Sequence, residues 1–157
     1  MLKEGYKAPD FSVLDDRGNP FKLSENLGKK KLVLFFYPKA DTPGCTKEAC
    51  AFRDASKKIE AKGATVIGIS MDAVEKQAKF RDKYDLNMPL LSDAKKQIVS
   101  AYGVYKEKNM YGKKVMGIER STFLIDAAGV LRNEWRKIKV PGHVDEVLAA
   151  VKALGKA

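Results

Sequence analysis

Two stretches of the chain are apolar almost without interruption: KLVLFFY at 31–37 and ATVIGIS at 64–70. Short runs of this kind, rich in β-branched and aromatic residues, mark strands covered on both faces. Between them the period lengthens. Phe52, Ala55, Ser56 and Ile59 recur at helical spacing through 45–63, and Gly63 suits the C-terminal stop of a helix. Strand, helix and strand make a right-handed βαβ unit. Apolar residues alternate on both arms of 11–24 about Asp-Arg-Gly-Asn, which predicts a β-hairpin supplying an antiparallel edge. A second hairpin is predicted at 121–135 about Asp-Ala-Ala-Gly. Helical stripes at 72–86 and 92–104 open on the capping-type residues Asp72 and Ser92, and an amphipathic helix closes the chain at 142–154. With no repeat or linker, this order predicts one α/β domain over 1–157. It fits a thioredoxin-like three-layer fold with an added N-terminal β-hairpin and an inserted helix.

At 157 residues and 45% hydrophobic content, the chain is long enough to bury a sizeable core. No apolar run approaches the roughly 18 residues of a membrane span, and MLKEGYKAPDF has no stretch of signal-peptide type. The expectation is a soluble protein of a reducing cytoplasm. The net charge of +10, from 30 Lys and Arg against 20 Asp and Glu, raises nucleic acid or an anionic membrane as partners. Distribution argues otherwise. The lysines fall in twos and threes (GKKKL, SKKIEAK, AKKQ, GKKV) with acids among them, so a solvated basic surface with neither partner is expected.

The candidate chemistry lies in YPKADTPGCTKEACAFRD, 37–54, which holds both cysteines, Cys45 and Cys50. In a reducing compartment one such pair points to a transient, catalytic role rather than a structural staple. The stretch follows the carboxyl end of a central strand, where ligands bind in open α/β sheets. Thr42 is a good N-cap and Pro43 suits the first helical position, so Cys45 falls in the first turn, facing unpaired backbone N–H groups that stabilise a thiolate. Beside that turn it is poorly placed for the core. On an ideal helix about 7.5 Å of rise and roughly 140° of rotation put the two Cα atoms about 8.7 Å apart. Cysteines more than about 7 Å apart cannot bridge without backbone movement. Either they never bond, or the turn containing Pro43 and Gly44 melts.

Other readings stay open on these grounds. Zinc wants four ligands, and besides the two cysteines there is only His143, which is read as marking the start of the last helix. No metal and no cofactor are therefore expected. A disulfide oxidoreductase of thioredoxin type would carry Cys-x-x-Cys here rather than Cys-x4-Cys. An inert Cys50 in the core, a disulfide exchanger and a basic nucleic-acid-binding module remain alternatives.

The segment PKADTPGC, with Pro38, Thr42 and Cys45, resembles the Pro-x-x-x-Thr/Ser-x-x-Cys signature of the peroxiredoxins. CTKEACAFRD resembles the extension found in the bacterioferritin comigratory protein or PrxQ group of that family. Similarity runs from GYKAPDF through this segment to RSTFLID and GHVDEVL, nearly the whole chain. The resemblance implies a thiol-dependent peroxidase. Cys45 would be the nucleophile that attacks the peroxide O–O bond and becomes a sulfenic acid. Thr42 would hydrogen-bond the peroxide, Pro38 would shield the thiolate, and Arg120 would hold thiolate and peroxide together. Cys50 matches the resolving cysteine, which would form a disulfide reduced by a thioredoxin-like donor. Hydrogen peroxide and organic hydroperoxides are the implied substrates, and a monomer is the expected working form.

Overall fold

The computed structural model describes residues 2–28 and 30–154; Met1, Lys29 and 155–157, which the expected 1–157 domain includes, lie outside the described residues. Lys31–Phe36 (β3) and Ala64–Ser70 (β4) pair in parallel from Lys31↔Ala64 to Phe36↔Ile69 at the centre of a seven-stranded mixed sheet. The helix Pro43–Ala61 (α1) connects them. Gly63, at φ +80°, makes the left-handed turn from helix to strand. The expected hairpins are present as Ser12–Asp15 with Pro20–Lys22 (β1, β2) and Ser121–Ile125 with Leu131–Arg136 (β8, β9). Strand order is β2-β1-β5-β4-β3-β8-β9, where β5 is Leu90–Ser92.

Each face of this sheet carries its own core, because β3 alternates its side chains between them. Val33, Phe35 and Tyr37 pack with Phe52 and Ile59 of α1, Phe80 of Val74–Tyr84 (α2) and Val147 of His143–Leu154 (α4). Leu32, Leu34 and Phe36 pack on the other side with Ile98, Val99, Tyr102 and Phe123. The result is helices on both faces of a sheet, the three layers expected.

Two expectations fail in instructive ways. The helix predicted at 92–104 shrinks to Gln97–Ala101 (α3), and Ser92 ends β5 instead. Leu90–Ser92 is too short to announce itself as a strand, but it fills the gap between β4 and β1, pairing with both. Lys96 is left-handed at φ +62°, and Asp93 starts α3 by accepting from the N–H groups of Gln97, Ile98 and Val99. The second failure is an omission: Tyr105–Met110 (β6) and Lys113–Ile118 (β7) form a hairpin apart from the main sheet, turning at Tyr111 and Gly112, both at positive φ. One lysine also departs from the solvated surface. Lys31 is buried, and its Nζ donates to Lys62 O at the end of α1.

Candidate active site

The site forms where β3 ends. Register places it: β8 runs antiparallel to β3 with Ser121 opposite Phe36, so Arg120, one residue earlier, sits beside the start of the 38–42 loop. Its backbone is held there by Ile138 N, which donates to Arg120 O. The loop then turns into α1, with Thr42 at the N-cap position and Pro43 at the first helical one, as the sequence predicts. Thr42 does not cap the helix with its side chain; its hydroxyl donates back to Lys39 O at 2.9 Å.

Cys45 is therefore in the first turn, but its placement corrects the expectation that it avoids the core. It is 1% exposed and packs with Tyr37, Ala49 and Phe52. Arg120 reaches it there: Nη2 donates to Cys45 Sγ at 3.3 Å while Nη1 donates to Glu48 Oε1 at 2.8 Å. Glu48 is one helical turn beyond Cys45 and so shares its face. The guanidinium fork thus bridges a thiol and a carboxylate of the same helix, and a planar five-donor cation is the side chain suited to that geometry. Burial works against the Arg120 charge, yet Glu48 and Cys45 more than offset it and hold it above its ordinary value. Burial pushes the Glu48 carboxyl up from 4.5 to about 7, against the opposite pull of Arg120. Its Oε2 is buried with no hydrogen-bond partner among the described residues.

Behind this pair lies His143 at the start of α4, buried, its Nε2 2.8 Å from Thr122 Oγ1 and its ring edge-on to Phe52 and Trp135. Burial, with Arg120 adding to it, lowers its pKa from 6.5 to about 4. A neutral imidazole in an aromatic cage is a packing and hydrogen-bonding group. Lys108 of β6, in the detached hairpin, lies within electrostatic reach of the site; burial first, then Arg120, lower its pKa, with Cys45 and Glu119 opposing. Among the described residues no three His, Cys, Asp or Glu side chains gather as metal ligands do. A buried sulfur in a helix's first turn, under a fixed cation, is an arrangement for thiol chemistry.

Comparison with known proteins decides the family. Residues 5–134 match the AhpC/TSA family. The peroxiredoxin Bcp of Bacillus subtilis is 48% identical over 99% of this chain and 98% of its own length, and that of Escherichia coli K12 is 43% identical over 96% of each. Among solved structures, the bacterioferritin comigratory protein of Xanthomonas campestris superposes with TM-score 0.90 at 40% identity, covering 97% of this chain and 99% of that one. PrxQ of Xylella fastidiosa gives 0.92 at 37% identity over 98% of each. The chain belongs to the AhpC/TSA family of peroxiredoxins. Its fold is the thioredoxin-like α/β fold of those structures, and its activity is that of a thiol-dependent peroxidase, an oxidoreductase.

Within this peroxiredoxin the five residues expected at the site are not equally gathered. Cys45 and Arg120 are in contact. Pro38 and Thr42 are half-buried in the loop before α1, with the Thr42 hydroxyl engaged on Lys39. Cys50 lies five positions along the same unbroken helix, half-buried, and both thiols are free. Glu48 was not anticipated, although its three-residue spacing from Cys45 was legible as a shared helical face. His143 opens the last helix as read from the sequence, but its place beside the site gave no signal, nor did that of Thr122, since the contact between them is long-range.

Proposed function

We propose that this peroxiredoxin reduces hydrogen peroxide and organic hydroperoxides through Cys45. The Cys45 thiolate takes the terminal OH of ROOH as the O–O bond breaks, leaving Cys45 as a sulfenic acid and RO⁻, which picks up a proton to depart as ROH. Negative charge moves from sulfur onto two oxygens, and the Arg120 fork is a preorganised donor for it. The observation that carries this reading is the 3.3 Å contact of Arg120 Nη2 with Cys45 Sγ, fixed from behind by Glu48. Thr42, whose hydroxyl now donates to Lys39 O, turns to the peroxide, and Pro38 keeps water from the sulfur. That the Xanthomonas relative is described for alkyl peroxide reduction supports the organic substrates.

Cys50 then attacks the sulfenic sulfur; an S–S bond forms and water leaves. Intact α1 holds the Cα atoms about 8.7 Å apart, so the first turn unwinds for this step. A thioredoxin-like dithiol restores both thiols by exchange and is itself oxidised to a disulfide. The chain acts as one domain and as a monomer in the cytoplasm, where such donors are reduced.

The test is single-turnover peroxide consumption by the pre-reduced protein, followed by turnover with thioredoxin. Cys45→Ser abolishes both; Cys50→Ser still consumes one equivalent but forms no intramolecular disulfide. Equal first-turnover rates in wild type and Cys45→Ser would sink the proposal, and insulin reduction without peroxide consumption would replace it with simple disulfide exchange.

A further inference from the structure

We propose that Asp72 is a positioning residue for the Cys45 loop, a latch whose hold on Ala40 sets how readily the first turn of α1 unwinds. Among the described residues, side chains tie loop 38–42 to its surroundings at two places, Asp41 and Ala40. One tie is open to solvent: Asp41, left-handed at φ +61°, binds Lys83 Nζ at 2.9 Å and Tyr84 OH at 2.7 Å, with the Asp41 and Lys83 side chains 43% and 58% exposed. Exposed ion pairs of this kind hold little. The other is half-buried: Ala40 N donates to Asp72 Oδ2 at 2.7 Å.

Asp72 is fixed before the loop reaches it. Tyr37 OH donates to Gln77 Oε1, Gln77 Nε2 donates to Ser70 Oγ at 2.8 Å and to Leu91 O at 2.9 Å, and the Ser70 hydroxyl donates to Asp72 Oδ2 at 2.6 Å. Ser92 Oγ donates to the main-chain carbonyl of Asp72 at 2.7 Å. Ser70 and Ser92 end β4 and β5, Gln77 lies in α2 and Tyr37 directly follows β3; all four are buried, so they are scaffold, and Ala40 alone belongs to the loop. Asp72 is also the residue the sequence offers as a cap for α2, and it is not used so. That helix starts at Val74 with Ala73 at the N-cap and no side-chain cap bond. A capping residue diverted to a neighbouring loop, at the end of a buried donor chain that starts beside Cys45, is built to hold that loop.

The consequence is a separation of two steps. Peroxide reacts with the held loop, and the disulfide forms from the released one, so each rate follows the population of its own state. Losing one charge-assisted hydrogen bond shifts such an equilibrium by about tenfold. Where the held state dominates, that shift leaves its population nearly unchanged and multiplies the released one. Asp72→Ala therefore speeds conversion of sulfenic acid to disulfide about tenfold and leaves the peroxide step within about twofold.

This rests on the reading that Cys50 resolves Cys45, but the latch can be measured without it. In the reduced protein, with no peroxide present, Asp72→Ala raises amide exchange of 44–50 about tenfold while β3 and β4 exchange as in wild type. Unchanged exchange in a folded variant overturns the latch; absence of a disulfide in wild type overturns only the Cys50 reading, and the exchange result still decides. Sulfenic acid and disulfide formation are then timed by quenched mass spectrometry. A merely structural Asp72 lowers the denaturation midpoint without separating the two rates. Should Asp72→Ala not fold, Asp72→Asn keeps an oxygen where Oδ2 now accepts both bonds but removes the charge that strengthens them, and gives about threefold effects of the same sign; wild-type exchange and a wild-type disulfide rate in it overturn the proposal.

Discussion

The two ends of α1 are built on different terms. From Ala49 to Ile59 the helix is held by apolar burial: Phe52 stacks on Phe35 at 4.7 Å between centroids and is fully buried, as is Ile59. From Pro43 to Glu48 it is held by directed bonds, the Arg120 fork on Cys45 and Glu48 and the hydroxyl of Thr42 turned back on the loop. Proline and glycine stand in that turn, where a stable helix would place neither except at its first position. Burial is additive and non-directional, so the C-terminal end resists opening. Directed bonds are few, so the geometry of the N-terminal end rests on a handful of contacts, and on the function proposed above it is this end that unwinds. The helix joins a reactive turn to a fixed anchor.

Damage to the two ends should therefore read out on different instruments. Ile59→Ala, which empties a site in the main core far along α1 from Cys45, is expected to cost about 2–5 kcal/mol of stability while the folded fraction reacts with peroxide at close to the wild-type rate. Arg120→Ala is expected to slow the first turnover by a factor of hundreds, the scale for one preorganised charge-stabilising donor. Urea denaturation and stopped-flow peroxide kinetics on both variants separate the two. A loss of less than about threefold for Arg120→Ala, or a comparable kinetic loss for Ile59→Ala, would erase the distinction.

Glu48 lies at the junction, and pH sharpens its part. With its pKa raised from 4.5 to about 7, the folded protein keeps a proton that the unfolded chain releases, so the stability it contributes is full below pH 4.5 and is lost as pH rises towards 7. His143, lowered from 6.5 to about 4, does the reverse: its contribution is full above pH 6.5 and is lost as pH falls towards 4. The windows overlap, and these two slopes oppose each other in wild type. Glu48→Gln removes one of them. Relative to wild type, the variant should gain on the order of 2 kcal/mol between pH 5 and pH 7, measured as urea midpoints across that range. A difference that stays constant with pH would mean that Glu48 is charged throughout and that its bond to Arg120 outweighs its burial.

How much of this was legible follows the same division. Apolar runs and periods reported the anchor: β3, β4, α1 and both sheet hairpins stand where 31–37, 64–70, 45–63, 11–24 and 121–135 predict them. The motif PKADTPGC placed Cys45 in the first turn, because turn chemistry is local. What the pattern could not carry is pairing across distance. Arg120 meets Cys45 only because β8 runs antiparallel beside β3, and it was selected by resemblance alone. Leu90–Ser92 becomes a strand because two others leave it a place, and Asp72 abandons its helix because Ala40 presents an N–H to it. The hairpin of β6 and β7 went unread because its alternation is mostly polar, although Tyr111 and Gly112 mark its turn.

The smallest substitution tests the junction most finely. Gly44 lies between the helix start and the fork: a Cβ there would sit 3.2 Å from Arg120 Nη2, tighter than an ordinary contact, with no left-handed backbone to forbid a side chain. Alanine in a helix gains about 0.5–1 kcal/mol over glycine, so Gly44→Ala should be at least as stable as wild type. Arg120 cannot step aside freely, because Glu48 holds Nη1 at 2.8 Å and Cys45 lies 3.3 Å from Nη2. A shift of a few tenths of an ångström is then forced on a donor that the proposed peroxide step uses. Misplacement by about 1 Å can cost a hundredfold in rate, so a roughly three- to tenfold loss in the first turnover is expected here. Stability unchanged or raised with the rate lowered is the signature of a turn whose composition serves geometry rather than folding. A variant that keeps the wild-type rate would show that the fork tolerates displacement, and the glycine would then serve only the unwinding of the turn, read as slower disulfide formation at an unchanged peroxide rate.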